Sequence, residues 1–271
     1  MRQICAILGI SRSWYYAADA GTPSAADTAL RARIEEIVLE FPGYGYRRVT
    51  KTLQRAGQEV NHKRVLRIMR EESLLCQLKR RFVATTDSRH ALGSYPNRIK
   101  DLVVTRLNQV WIADLTYVRL PRGFVYVAAI LDAFSRKVIG WAVSRWIDAV
   151  VAVRALDQAL ATRSVSAGLI HHSDHGTQYT SATYLTRLHD RGIAISMAAI
   201  GNPYENARIE AFFKTLKTEE VYLKEYRDAA DAENQIGHFI EDLYNAKRLH
   251  SSLAYRPPNE FEHAVVLGAA G

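Results

Sequence analysis

The sequence predicts an α/β protein in which a mixed five-stranded sheet with flanking helices follows an all-α unit. Three observations predict it. Apolar residues recur at helical spacing from Asp27 to Glu72. Between Val110 and Arg145, three apolar runs are separated only by short turn signals, the pattern of an antiparallel meander. From Asp148 onward, helical and strand-like segments alternate, which places helices on both faces of a sheet.

The elements follow in order. Residues 2–16 read as two short helices around a Gly9 turn, with Ser11 as a cap, so residues 1–20 look like part of a helix-turn-helix. Gly21 to Ala26 is small and polar and reads as a linker. Leu30, Ile34, Ile37, Val38 and Phe41 then form one helical face, which Pro42-Gly43 ends. A second helix is expected over Arg47–Ala56. A third is expected over Asn61–Glu72, with Asn61 as N-cap and Val65, Leu66 and Met69 facing inward. Lys63, Arg64, Arg67 and Arg70 fall on its exposed side, the arrangement a DNA reader needs because cations must meet phosphates before bases are read. A solvated basic face is the plain alternative. The three-helix unit is assigned to residues 27–83 and the linker to 84–100, where Thr, Ser, Gly and Pro are frequent.

Strands are expected at Val110–Leu120, Phe124–Leu131 and Lys137–Arg145, followed by a helix over Asp148–Thr162. Next come a buried strand at Leu169–His172, a helix at Ser181–Arg191 and a strand at Ile193–Met197. Long helices from about Asn206 to Tyr222 and from Ala229 to Lys247 close the second unit, residues 101–265.

The chain has 271 residues, enough for about two domains. No apolar run approaches the roughly 18 residues of a membrane span, and the N-terminus lacks the long apolar core of a signal peptide. Cys5 and Cys76 cannot build a disulfide framework or a four-cysteine zinc site. A cytoplasmic, nucleoid-associated protein without a membrane partner is expected. The net charge is +8. Residues 1–100 hold 18 basic and 9 acidic side chains, so all the positive excess lies in the first third. A localised excess of that sign favours a polyanion, DNA or RNA, as partner.

Three carboxylates stand out. Asp114 sits mid-strand in Trp111-Ile112-Ala113-Asp114-Leu115-Thr116-Tyr117. An ionised group there is costly unless it is paired or holds a metal. Asp174 follows the fourth strand, at the strand end where ligands gather in α/β sheets. Glu210 lies on a helix whose Ile209, Phe212, Phe213 and Leu216 form the core stripe, while Asn206, Glu210, Lys214 and Lys217 form a separate polar stripe. Two strands and a helix can bring three carboxylates onto a pair of divalent cations, the arrangement phosphodiester chemistry uses to clamp attacking and leaving oxygens. All-oxygen ligands suit Mg2+ or Mn2+. Taken singly, a strand Asp is usually structural and a helix Glu beside Lys is usually a surface ion pair.

In combination these residues resemble a known family. Trp111-x-x-Asp114-x-Thr116-Tyr117, then His172-Ser173-Asp174-x-Gly176-x-Gln178-Tyr179, then Asn206-Ala207-x-x-Glu210 is similar to the retroviral-integrase-like DDE transposases, with the family's 35 residues between Asp174 and Glu210. Leu131-Asp132-x-Phe134-Ser135-Arg136, Tyr44-Gly45-Tyr46-Arg47-Arg48, Val60-Asn61-His62-Lys63 and Tyr244-Asn245-x-x-Arg248-x-His250-Ser251-Ser252-Leu253 extend the likeness over nearly the whole chain. It is nearest to the OrfB product of bacterial insertion sequences.

The resemblance implies an RNase H-like core, two Mg2+ or Mn2+ ions held by Asp114, Asp174 and Glu210, nicking at element ends, and strand transfer to target DNA. It implies DNA contacts from Lys217, and by position from Lys214, Gln178, Asn206, Arg47 and Arg48 as well as Lys63, Arg64 and Arg67. His172 and His175 read as loop residues near DNA, because no Cys pair accompanies them to make a zinc site. A homo-oligomer on DNA and an upstream-frame partner or fusion are also implied. The chain departs from the family's pattern at Ala198-Ala199-Ile200, where basic residues are frequent, and at Glu205, where Asp is usual. Two other readings remain: an RNase H-like nuclease without strand transfer, and a DNA-binding regulatory protein that does not catalyse.

Overall fold

The computed structural model describes residues 25–76, 95–165, 167–198 and 206–268. The expected helices of residues 2–16, most of the 84–100 linker, the Ala199-Ile200 part of the first departure and Glu205 lie outside the described residues. The chain divides into two units, residues 1–77 and 78–271.

The first unit is built on α1 (Ala25–Glu40), α2 (Tyr46–Arg55) and α3 (His62–Glu71). α1 starts at Ala25, inside the expected linker, because Ala25 and Ala26 are good helix formers that cost nothing to include. Asn61 caps α3 as expected, accepting from the Lys63 N–H at 2.8 Å. Val65 and Met69 are buried as expected, but the third inward residue is Ile68 rather than Leu66, which is only half-buried. Leu30, Ile34, Val49, Leu53 and Tyr44 fill the rest of this core.

The second unit is a five-stranded mixed sheet: β1 (Val110–Arg119), β2 (Phe124–Asp132), β3 (Val138–Ser144), β4 (Ile170–Ser173) and β5 (Ala194–Met197), in the order β3-β2-β1-β4-β5. The first three strands form the expected antiparallel meander, while β4 runs parallel to β1 and β5 parallel to β4. Strand alternation sorts side chains onto two faces. Val110, Ile112, Val118, Val125 and Val127 pack on one face against Ile209, Phe212, Phe213 and Leu216 of α6 (Ala207–Glu219) and Ile236 of α7 (Ala229–His238). Trp111, Ala113, Ala128 and Ile130 face α4 (Ala149–Thr162) and α5 (Ala182–Asp190), so helices cover both faces. At Gly140, a Cβ would press on the Ala155 carbonyl and come within 2.9 Å of Ala159 Cβ, so α4 lies on β3 at a distance only glycine permits.

Two features of the C-terminal region differ from expectation. The helix expected from Ala229 to Lys247 is α-helical only to His238 and continues as a π-helical segment, Phe239–Asn245. That widening turns Asn245 toward β3, where its amide accepts from the Val138 N–H (3.0 Å) and donates to the Val138 carbonyl (2.9 Å). A further helix, α8 (Pro258–Val266), had no expected counterpart. Glu262 anchors it through Arg163 at 2.7 Å and the Ser135 hydroxyl at 2.6 Å. The Leu131–Arg136 motif is a turn: the buried Asp132 carboxylate accepts from the N–H groups of Asn108, Phe134 and Ser135.

Candidate functional site

Register alone brings the two aspartates together. Ile112 pairs with His172 across the parallel β1–β4 ladder. Two residues further along, Asp114 comes opposite Asp174, the first residue past β4, and side chains two apart share a face. Neighbouring strands lie about 4.8 Å apart, so these carboxylates are cross-strand neighbours. Asp114 also pairs with Ala129, which belongs to the core beneath α6, so the pair faces the helix that carries Glu210.

Each aspartate is half-buried and held by backbone. Asp114 Oδ1 accepts from the Leu115 N–H at 2.7 Å, and Asp174 Oδ1 accepts from the Gly176 N–H at 2.9 Å. Gly176 has no room for a side chain: a Cβ there would collide with the Gln178 amide and sit 2.9 Å from Asp174 Oδ1. Next to Asp174, the His175 Nε2–H donates to the Ala198 carbonyl at 2.7 Å, closing the end of β4 against β5. His172 lies on the same face but is fully buried, its Nδ1 2.9 Å from the Ser196 hydroxyl. It is part of the core, which corrects its reading as a loop residue.

The electrostatics show an excess of negative charge. Burial pushes the Asp114 carboxyl up to about 7; the charges of Asp174 and Glu210 add to the rise, while the Leu115 N–H and Lys217 oppose it. Asp174 is raised by burial against the Gly176 N–H and His175, and Glu210 is raised by burial. Among the described residues, no cation forms an ion pair with any of the three. Asp114 therefore senses both other carboxylates, and among the described residues only the more distant charges of Lys217 and His175 offset the set. Glu210 remains exposed on α6. Among the described residues, no three His, Cys, Asp or Glu side chains are gathered into a preformed metal cage. The donor set nonetheless fits a divalent ion: hard oxygens, two of them fixed by strands, and a mutual repulsion that a cation would relieve.

The polar residues around the carboxylates are arranged as follows. Lys217 is half-buried on α6, its Nζ 5.1 Å from the centre of the Tyr117 ring, and burial lowers its pKa. Lys214 is exposed on the same helix. Asn206, at the N-terminus of α6, is buried, and among the described residues its Oδ1 is in no hydrogen bond. Tyr179 is buried among the residues beneath α5, its hydroxyl also without a partner among the described residues. Burial first, and then the charges of Asp114, Tyr184 and Asp174, hold its pKa well above the ordinary phenol value. Neither Tyr179 nor Tyr117 had an assigned role in the sequence. The available signal was that each lies inside a carboxylate-bearing motif.

In the first unit, Arg64 and Arg67 do not stand free on the basic face. Both bind Asp27 of α1, at 2.5 and 2.8 Å, and Arg67 also binds Glu71. Lys63 and Arg70 are exposed and, among the described residues, in no ion pair. Arg47 is exposed over the Tyr46 ring, and Arg48 is half-buried over that of Tyr44.

Comparison with known proteins identifies the family. A family model described as "Integrase core domain" matches residues 104–203, a second model of the same description matches 191–258, and an "HTH-like domain" matches 25–82. The chain is 37% identical to the "Transposase for insertion sequence element IS904" of Lactococcus lactis, over 86% of this chain and 93% of that protein. It is 32% identical to the "Transposase InsF for insertion sequence IS3A" of Escherichia coli, over 97% of this chain and 94% of that one. Among solved structures, the catalytic core domain of HTLV-2 integrase aligns over 58% of this chain and 97% of its own, at 15% identity and a TM-score of 0.45. On the strength of the sequence relatives, the chain belongs to the family of bacterial insertion-sequence transposases that carry an integrase core domain.

Proposed function

We propose that Asp114, Asp174 and Glu210 are the catalytic carboxylates of a polynucleotidyl transferase. The enzyme hydrolyses a phosphodiester at the end of a DNA element and joins the freed 3′-hydroxyl to a second phosphodiester. The observation that carries this reading is the cross-strand Asp114–Asp174 pair on the face beneath α6, with Asp114 in the field of Glu210. The three would hold two divalent cations, Mg2+ or Mn2+; when bound, these supply a Lewis acid for the attacking and leaving oxygens and acidify a water.

The protein's own residues do the rest. The Leu115 and Gly176 N–H groups each occupy one aspartate oxygen and so aim the other outward. Glu210, exposed and unpaired among the described residues, completes the set by turning about its side-chain bonds. Lys217 and Lys214 share its helix and meet DNA phosphates beside the reacting bond, with Asn206 and Gln178 as neutral partners. In the first unit, Lys63, Arg47 and Arg48 contact the DNA backbone. Arg64 and Arg67 act first as clamps between α1 and α3, because Asp27 already engages them. The working assembly is a homo-oligomer on DNA.

The test is a joining assay in Mg2+ or Mn2+ with a labelled 3′-hydroxyl DNA end and a plasmid target. The expected result is label covalently joined to plasmid by the wild type and none by Glu210→Gln at the same DNA affinity. Cutting without joining would assign the chain to the nucleases instead.

A further inference from the structure

At the C-terminal end of β1, beyond the last residue of β4, the sheet carries exposed aromatic rings that the carboxylate chemistry does not use. Tyr117 is 39% and Phe124 48% exposed, and their rings meet edge to face at 5.6 Å. Ladder register makes this a platform: Tyr117 pairs with Tyr126, Arg119 with Phe124, and Tyr126 with Ser144 of β3. Trp146, two residues past Ser144, is 73% exposed at the same end of the sheet. Large exposed aromatics on a sheet end are costly to leave in water and mark a place where something binds.

The surrounding charge selects what binds. Arg119, Arg122 and Arg145 are exposed, and Lys217 lies over the Tyr117 ring. Among the described residues, none of these cations is in an ion pair. Aromatic faces interleaved with unneutralised cations suit a polyanion that also offers flat π-surfaces, which describes unpaired nucleotides. Lys217 ties the platform to the carboxylates. It lies seven residues, or two turns, beyond Glu210 on the same face of α6, and its ammonium reaches the Tyr117 ring.

We propose that Tyr117 and Phe124, with Lys217 and Arg119, form a stacking platform for an unpaired base of the DNA strand whose backbone enters the Asp114–Asp174–Glu210 site. This rests on the reading of that site as a DNA-processing one and names the form of DNA it takes. In a duplex every interior base is stacked on both faces and the terminal pair is held in the helix. The platform therefore favours ends with an overhanging or frayed nucleotide, whose base can leave the stack, over fully paired ends.

The experiment uses the full chain in EDTA, so that no strand is cut. It compares a blunt duplex with the same duplex bearing two unpaired 3′ nucleotides, one of them 2-aminopurine. A stacked base is worth about 10-fold in affinity. The wild type is expected to bind the overhang duplex about 10-fold more tightly and to quench the 2-aminopurine. In Tyr117→Ala/Phe124→Ala the preference falls to about 1 and the quenching disappears, while Tyr117→Phe retains both. If the double variant keeps the preference and the quenching, the platform is overturned. It is also overturned if the variant changes only the oligomeric state in sedimentation, which would make the patch an interface between copies. Joining is scored separately: a wild type that prefers overhangs but never joins DNA refutes the transferase and leaves the platform standing.

Discussion

Arg248 grips Glu219 with two hydrogen bonds, at 2.8 and 2.6 Å, and both side chains are only 5% exposed. Glu219 is the last residue of α6, the helix that carries Glu210 and Lys217. From the same C-terminal motif, Tyr244 sets its ring edge-on to Phe212 of α6 at 4.9 Å, and Asn245 holds Val138 of β3. The motif therefore braces the third carboxylate's helix against the sheet that carries the other two.

Removing one partner of a buried ion pair leaves the other uncompensated, at a cost of about 3–5 kcal/mol. Arg248→Ala should accordingly lower the melting temperature by many degrees. Replacing both partners, as in Arg248→Met/Glu219→Leu, should recover most of that loss. Thermal unfolding followed by circular dichroism distinguishes the outcomes. Equal melting temperatures for Arg248→Ala and wild type would show that the brace carries no weight.

Gly176→Ala places a methyl group against the Gln178 amide and Asp174 Oδ1. Either the Gly176 N–H to Asp174 bond breaks or the loop shifts, and the aspartate loses its aim in both cases. Misplacement by about 1 Å can cost about 100-fold in rate. The expected result is joining reduced by at least that factor with the melting temperature little changed, read from initial rates and a thermal scan.

The Asp27 clamp predicts an acid-sensitive first unit. Hydrogen bonds from Arg67 and Arg64 hold the Asp27 carboxyl below its ordinary value of 3.8. A depressed carboxyl adds stability that is fully present above the unfolded value and is lost as pH falls through the folded one. Asp27→Asn should thus loosen α1 and α3 at neutral pH and converge with wild type in strongly acid solution. Hydrogen exchange of the α1 and α3 amides against pH is the measurement; a difference that persists unchanged in acid would contradict the clamp.

Without a cation, the Asp114 carboxyl is held protonated to about 7 against an ordinary value of 3.8, so its ionisation opposes folding as pH rises through that window. In EDTA above neutral pH, Asp114→Asn should melt higher than wild type. Adding Mn2+ should raise the wild type and leave the variant where it was. A variant stabilised equally by Mn2+ would place the ion elsewhere.

The sequence made the meander legible because Val110–Leu120, Phe124–Leu131 and Lys137–Arg145 are separated by turns too short for any other connection. It singled out Asp114, Asp174 and Glu210 as candidates only in combination, because a lone strand Asp or helix Glu is usually structural and the spacing of the three motifs is what sets them apart. It did not reveal that Ile68 rather than Leu66 turns inward, since both fit an apolar stripe and only the packing of α1 and α2 decides between them. Nor did it show Asp27 reaching Arg64 and Arg67, because helical spacing fixes which face a residue occupies and not which distant side chain lies opposite. The π-helical turn at Phe239–Asn245 has no periodic signature. It ends on Asn245, whose amide pairs with the Val138 backbone of β3, a partner 107 residues away that helical periodicity does not reveal.

The central claim is that three side chains distant in sequence together bind the pair of divalent cations. Calorimetric titration of the metal-free full chain with Mn2+ tests it most directly, comparing the wild type with Asp114→Asn, Asp174→Asn and Glu210→Gln. Saturable binding that each single substitution weakens is the predicted result, with both aspartate variants the more severe. Wild-type binding that persists undiminished in all three variants would contradict it.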